Sequence, residues 1–184
     1  MLLWLTNYRI SRKVIFTLLP FIIIPACLFI VRQINTAEPE TFLIPSGYQG
    51  KIRIILSQKC GQPTKYEGKR RLYVIPDDGI LMTQFEAEQG FINHEFYIIE
   101  NGKRRKVEEL MVQAFNEEWT LEKNQSEPPR NKVAIFEAGR TYSDGSSEFY
   151  ICTYNQFREY GVNYDQTFDS LTTVKKNTLK KNCD

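Results

Sequence analysis

The chain has 184 residues, of which 25% are charged and 42% hydrophobic, and its mean hydropathy is −0.40. This length accommodates one domain of about 150 residues with a proper core, besides a short N-terminal segment. Three of the 24 basic residues precede residue 14 and no acidic residue does, so residues 32–184 carry 21 basic and 22 acidic groups. That balance argues against a nucleic-acid-binding protein.

Residues 14–31 form the one long apolar stretch, VIFTLLPFIIIPACLFIV, and they contain no charge. As a helix these eighteen residues span about 27 Å, close to the hydrocarbon thickness of a bilayer. Arg9, Arg12 and Lys13 precede the stretch and favour a cytoplasmic position for residues 1–13. We predict a single transmembrane helix or signal anchor over 14–31, in contact with the lipid bilayer. The rest of the chain would then be periplasmic or extracellular.

A lipoprotein signal is the alternative interpretation of the same stretch. Residues 24–27, IPAC, end on Cys27, which would be lipidated after cleavage. The chain stays apolar over residues 28–31, however, whereas a lipid-anchored chain is free to become polar at once. This continuity favours the uncleaved span, and the lipoprotein alternative stays open.

Short segments of strand-forming residues follow a polar linker at 32–41. The Asn101-Gly102 pair predicts a hairpin, and the turn Pro76–Gly79 predicts a second hairpin, since proline presets φ and glycine accepts the left-handed region. The predicted strands are 42–45, 51–58, 72–75, 80–84, 95–100, 103–107, 133–138 and 149–154.

We therefore predict a mainly β fold over residues 42–170, an antiparallel β-sandwich-like domain behind the N-terminal helix. One helix is predicted over residues 107–123, because Met111, Phe115 and Trp119 recur at i+4. Residues 171–184 are polar and rich in lysine, which predicts a flexible tail.

The basic run 103–106, KRRK, has two interpretations. It is consistent with a patch for anionic lipid or another polyanion. A charged edge strand, which blocks pairing with a second sheet, explains it more simply.

Four cysteines are present: Cys27 in the apolar stretch, then Cys60, Cys152 and Cys183. They lack the spacing of a zinc site. A Cys60–Cys152 bridge suits an oxidising compartment, and two free buried thiols are equally compatible with the sequence.

Few residues point to catalysis. The only histidine, His94, would have to act with one of the three later cysteines, or with carboxylates such as Asp77, Asp78 and Glu95. A nucleophile elbow and a phosphate loop are both absent from the sequence. We therefore favour a hydrogen-bonded structural His94 and expect no enzyme. A hydrolase-like site scattered along the chain is the alternative.

Two Asp-Gly turns and many tyrosines suggest ligands without specifying one. Asp77 and Asp78 beside Gly79, and Asp144 beside Gly145, offer oxygen ligands for calcium, although such turns also occur for backbone reasons alone. Tyrosines on an outer sheet face stack on sugars or proteins, but they also simply fit pleated surfaces. The sequence thus assigns no metal, cofactor or catalytic residue.

Residues 44–50 (IPSGYQG), 66–68 (YEG) and 73–83 (YVIPDDGILMT) resemble an uncharacterised family of bacterial envelope proteins of the Bacteroidetes type. Its members share I-P-x-G-Y-x-G and Y-x-I-P-x-x-G-I-L-x-T and typically follow a lipoprotein signal or a single membrane segment. The resemblance implies an envelope location, and it implies no site residue. We expect a membrane-anchored, non-catalytic module whose partner is an envelope protein or a glycan.

Overall fold

The structure, a computed structural model, describes residues 12–34, 36–88, 90, 93–142, 145–162, 166–181 and 183. The predicted cytoplasmic segment lies almost wholly outside the described residues, and Asp144 lies outside them too. The described strands are β1 (Glu40–Pro45), β2 (Gly50–Ile55), β3 (Tyr66–Glu67), β4 (Arg70–Val74), β5 (Ile80–Met82), β6 (His94–Glu100), β7 (Lys103–Val107), β8 (Ala134–Thr141) and β9 (Ser146–Cys152). The helices are α1 (Arg12–Ile34), α2 (Tyr154–Val162) and α3 (Gln166–Lys181), with one 3-10 turn at Val112–Ala114.

The chain divides into two compact units, and the first contains α1. This helix covers the predicted apolar segment and includes Pro20 and Pro25. Each side chain from Leu18 to Val31 is exposed, and the large apolar ones range from 42% to 75% exposure. In the part of the chain that the structure describes, no helix reaches the length and hydropathy required of a membrane span.

The second unit is a sandwich of two mixed sheets. The first sheet has the strand order β3-β4-β1-β6-β7, and the second has the order β5-β2-β9-β8. Their facing sides share one core, which contains Phe42, Ile44 and Phe96 from the first sheet and Ile52 and Phe149 from the second. The predicted sandwich-like, β-rich domain is confirmed at this level.

The facing sides follow directly from alternation along each strand. Ile52 and Ile54 of β2 point into the core, and Leu56 packs against it, as the sequence predicts. In the first sheet the rings of Phe42 and Phe96 stack at 4.9 Å, and Phe149 of the second sheet meets both edge-on. Aromatic packing therefore joins the two sheets.

The prediction of antiparallel pairing needs correction. Strand β1 is parallel to both β4 and β6, and β2 is parallel to β5. The turn Pro76–Gly79 does not close a hairpin, because β4 and β5 belong to different sheets. Proline lacks the backbone donor that would continue the ladder, so at Pro45 and again at Pro76 the chain crosses from the first sheet to the second.

The hairpin prediction at Asn101-Gly102 is confirmed. Strands β6 and β7 pair antiparallel up to Glu100 and Lys103. Asn101 has a φ of 50° and Gly102 a φ of 74°, as a two-residue hairpin turn with two left-handed positions requires.

The predicted helix over residues 107–123 is wrong. Val107 ends β7, and hydrogen bonds of 2.9 Å from Leu110 N to Ile135 O and from Ile135 N to Glu108 O pair the next residues with β8. A long irregular segment follows, and Trp119 is 74% exposed instead of packing on the sheet. Pairing with a distant strand overrides the helical period.

The predicted flexible tail needs correction too, because residues 166–181 form α3. Phe168 and Leu179 pack against Ile55, Ile80 and Met82 on the outer face of the second sheet. Helix α2 packs similarly through Phe157 onto the ring of Phe136, with the centroids 4.9 Å apart. Lysines dominate the sequence of the tail, yet its few apolar residues recur at helical spacing.

Candidate functional site

A polar cluster lies where three adjacent parallel strands of the first sheet begin. Glu40 of β1 is in register with Arg71 of β4 and His94 of β6. Its Oε1 accepts a 2.9 Å hydrogen bond from the Tyr73 hydroxyl, and its Oε2 lies 3.1 Å from His94 Nε2. Burial and the charge of Glu40 raise the pKa of Tyr73, so this hydroxyl stays protonated and continues to donate.

The cavity beside this cluster is very small. Glu40, Tyr73 and His94 line it from the first sheet, and Ser147 lines it from the second. Its volume of about 20 Å³ is enough for about one water molecule. The cavity beside His94 is thus far smaller than the usual small-molecule pocket.

Arg71 holds a second set of carboxylates at the same end of the sheet. Its side chain is buried, and its Nε donates to Glu38 Oε2 at 2.7 Å, while Nη1 donates to Glu86 O at 2.6 Å. Nη2 donates to Glu88, and the guanidinium lies 5.0 Å from the ring centre of Phe85. The hydrogen bond from Arg71 lowers the pKa of Glu38. These contacts connect the segment before β1 and the loop after β5 to β4.

The structure does not bring together the predicted catalytic carboxylates. Glu95 follows His94 directly, so its side chain is on the opposite face, where it accepts a 3.0 Å hydrogen bond from Tyr97. Asp78 binds the ammonium of Lys175 at 2.8 and 2.6 Å. Asp77 is exposed in the same turn.

The carboxylate that does meet His94 is Glu40, which lies in the predicted linker 32–41. The sequence did contain a signal for this position, because Glu40 lies two residues before Phe42 and four before Ile44. Side chains alternate along a strand, so this spacing predicts that Glu40 faces inward like those two residues. Within the described residues, no group of three or more histidine, cysteine or acidic side chains is arranged to hold a metal ion.

The cysteine predictions need a correction of the pairing. Cys60 is bonded to Cys183, with their Cα atoms 5.8 Å apart, and not to Cys152. Cys152 is free and fully buried beside Phe115 and Tyr154, and burial raises the pKa of its thiol to about 12. None of the three later cysteines is therefore a free, accessible thiol that could act with His94.

The basic run is an edge strand, as predicted. Strand β7 is the last strand of the first sheet, and residues 103–106 are exposed. Arg104 lies 2.6 Å from Glu67, and Arg105 lies 2.8 Å from Glu100. Paired cations of this kind suit a protected edge more than a polyanion site.

A second site, which we call the α3 cleft, lies between α3 and the edge strand β5. Its volume is about 400 Å³, in the range of small-molecule sites. It is lined by Cys60, Gly61, Gln62, Pro76, Ile80, Met82, Lys175, Thr178 and Leu179.

Several contacts fix the helix that forms one wall of the α3 cleft. The disulfide ties Cys183, just past the end of α3, to the loop after β2. Near the start of α3, Asp169 lies 2.6 Å from Arg53, whose guanidinium lies 5.5 Å from the ring centre of Phe168. The cleft is thus held at both ends of α3.

Sequence reasoning missed this cleft because it treated residues 171–184 as a flexible tail. Two signals were available: Phe168, Thr172 and Leu179 recur at the spacing of a helix face, and Cys183 supplies an unmatched cysteine next to the C-terminus.

Comparison with known proteins places the chain in a family. Residues 36–144 match the model of a family of unknown function, DUF6843. The chain belongs to this family. Membership of an uncharacterised family is thereby confirmed, while the two shared motifs and the Bacteroidetes type stay predictions. The match ends before α2 and α3, so one wall of the α3 cleft lies outside the matched residues.

No curated protein matches the chain. Among solved structures, a Bacillus anthracis protein described as a candidate lipoprotein is similar at 13% identity, with a TM-score of 0.48. The match covers 79% of this chain and 96% of that chain.

Proposed function

We propose that this protein is a non-catalytic binding module that faces an oxidising compartment outside the cytoplasm and is attached to a membrane by residues 14–31. The observation that carries the proposed attachment is the exposure of α1. Its side chains from Leu18 to Val31 are apolar or nearly so on all sides and lie exposed. A helix that is apolar all round needs an apolar environment.

Two further observations support the location. The Cys60–Cys183 disulfide suits a compartment in which thiols are oxidised, because cytoplasmic reductants keep such pairs open. Arg9, Arg12 and Lys13 precede the apolar stretch, which favours retention of the N-terminus in the cytoplasm.

The absence of catalysis is proposed from the chemistry around His94. Its carboxylate partner, Glu40, also accepts the hydroxyl proton of Tyr73, and the adjoining cavity of about 20 Å³ is far smaller than the usual small-molecule pocket. The α3 cleft offers twenty times that volume. The partner proposed for this module is an envelope protein or a glycan, as expected from the sequence.

The lipoprotein alternative concerns Cys27, which is exposed in α1. Mass spectrometry of the protein purified from membranes distinguishes the two anchors. A retained Met1 with unmodified Cys27 supports the uncleaved anchor. A chain that begins at a diacylglyceryl-modified Cys27 contradicts it.

Membrane sedimentation tests the proposed attachment. The wild-type chain should stay with membranes after a carbonate wash. The double variant Ile22→Lys/Ile24→Lys should be released, since each central lysine costs about 2.5–3.5 kcal/mol on the insertion scale. The matched control Leu171→Lys/Val174→Lys changes two exposed apolar residues of α3 and should sediment like the wild type.

Topology is tested on spheroplasts. Protease added outside should digest residues 38–184 and leave a fragment containing α1. Digestion only after lysis would refute the extracytoplasmic location.

A further inference from the structure

We propose that the α3 cleft binds the alkyl chain of an uncharged, single-chain amphiphile. The inference rests on the proposed binding role and names the chemical class of the ligand. It follows from the lining of the cleft, from the charges beside it and from the way its walls are fixed.

The lining is predominantly apolar. Ile80 and Met82 of β5 form the floor with almost no exposure of their own, and Leu179 of α3 forms the opposite wall. Pro76 and Cys60 extend the same surface. A linear hydrocarbon gains binding free energy by burying its apolar surface in such a cleft, and it needs no polar partner along its length.

The backbone groups along the floor already have partners. Gln62 N donates to Met82 O at 2.7 Å, and Gln84 N donates to Gln62 O at 3.0 Å. Gly61 N donates to Gln58 O at 2.8 Å. Because these groups are satisfied inside the protein, the floor does not require hydrogen bonds from a ligand.

Among the described residues, the one charged side chain that lines the cleft, Lys175, is neutralised by an acidic partner. The ammonium of Lys175 has three protons, and it donates to both oxygens of Asp78 and, at 2.7 Å, to the carbonyl of Ile80. An anionic head group would have to displace Asp78 to reach this ammonium. The site therefore favours a head group without charge.

One polar side chain remains available at the border. Among the contacts of the described residues, the exposed carboxamide of Gln62 makes no hydrogen bond. A carboxamide both donates and accepts, so it suits hydroxyl or ester oxygens. A head group of that kind would stay at the mouth while the chain lies against Met82 and Leu179.

The cleft exists before any ligand arrives, because its walls are fixed independently. The disulfide between Cys60 and Cys183 fixes the C-terminal end of α3, and the Lys175–Asp78 pair fixes its middle. A preformed site avoids the cost of ordering the protein on binding.

The methionines of the full-length protein provide the test. The sequence has three, Met1, Met82 and Met111, and labelling their methyl groups with carbon-13 gives three NMR signals. Met82 lines the α3 cleft, whereas Met111 is 74% exposed on the segment after β7. The probes are n-alkyl glucosides of six to twelve carbons, added below their micelle concentrations to the chain in lipid nanodiscs.

The Met82 signal should shift and saturate, while the Met111 signal should not move. Affinity should rise about fourfold with each added methylene, the equivalent of about 0.8 kcal/mol, until the cleft is full. Alkyl sulfates of equal chain length should bind at least tenfold more weakly, because Asp78 already neutralises Lys175.

A matched pair of variants on α3 controls for nonspecific partition into the nanodisc. Thr178→Trp places a large ring in the cleft and should weaken glucoside binding at least tenfold. Val174→Trp places the same ring at a position that is 62% exposed, and it should bind like the wild type.

An unmoved Met82 signal at all chain lengths would overturn the inference. So would equal movement of Met111, equal binding by the two tryptophan variants or equal affinity for the sulfates. None of these results affects the membrane-sedimentation assay. The ligand assignment can therefore fail while the proposed attachment holds.

Discussion

Cys60 and Cys183 are joined by a disulfide that closes a segment of 123 residues. The bond connects the loop after β2 to the residue that lies just past α3. Because it spans nearly the whole sandwich domain, it restricts the unfolded chain far more than a local bridge would.

The first prediction concerns this bond. Cys183→Ser should lower the free energy of unfolding by about 2–5 kcal/mol, the usual effect of removing a native bridge. Chemical denaturation with and without reductant measures it. Reductant should bring the wild type close to the variant and leave the variant itself unchanged. An equal response of both proteins would show that the bridge is not formed.

The second prediction compares a buried arginine with an exposed one. Arg71→Met should lower the free energy of unfolding by about 2–4 kcal/mol, because Glu38, Glu86 and Glu88 lose a shared buried donor. Arg105→Met removes an exposed pair with Glu100 and should cost less than about 1 kcal/mol. Urea denaturation of both variants measures the difference, and equal costs would contradict the structural role of Arg71.

The third prediction separates backbone strain from crowding at two glycines. Gly79 and Gly102 have nearly the same φ, 73° and 74°. A Cβ at Gly79 would lie 2.8 Å from Lys51 O and collide with the Tyr48 ring, whereas a Cβ at Gly102 meets nothing.

Gly102→Ala should therefore cost about 1 kcal/mol through strain alone. Gly79→Ala should cost about 1–3 kcal/mol more, because the neighbouring backbone must move. Thermal unfolding of the two variants tests this order, and an equal loss in both would rule out the crowding at Gly79.

The fourth prediction concerns the buried thiol of Cys152. Burial raises its pKa from 9.0 to about 12 in the folded protein. Above pH 9 the unfolded chain therefore loses this proton while the folded chain keeps it, so stability falls as pH rises.

The slope of unfolding free energy against pH between 9 and 10 should be steeper for Cys27→Ser than for Cys27→Ser/Cys152→Ala. The alanine also lowers stability through lost packing, but that loss does not depend on pH and so does not affect the slope. In the native Cys27→Ser protein at pH 7, a thiol reagent should label Cys152 only after denaturant is added. Rapid labelling without denaturant would mean that the thiol is accessible.

The sequence determined the features that depend on neighbouring residues. The alternation of Ile52 and Ile54 specified which side of β2 faces the core. The Asn101-Gly102 pair specified a hairpin, because both residues tolerate the left-handed region. The uncharged run 14–31 specified a helix, and the charged run 103–106 specified an edge strand.

The tertiary structure decided which distant segments meet. Pro45 and Pro76 stop their strands, but only the assembled fold shows that the chain then changes sheets, which makes β1 parallel to both of its neighbours. The partner of His94 turned out to be Glu40, 54 positions earlier, because parallel pairing sets the two residues side by side.

The choice of Cys183 over Cys152 as the partner of Cys60 has the same physical reason. Phe168 and Leu179 bury their side chains on the second sheet, and this packing carries residue 183 to the loop that holds Cys60. Helical spacing in the tail indicated that an apolar face existed. Only the outer surface of the second sheet, assembled from strands far apart in the chain, determined where that face is buried.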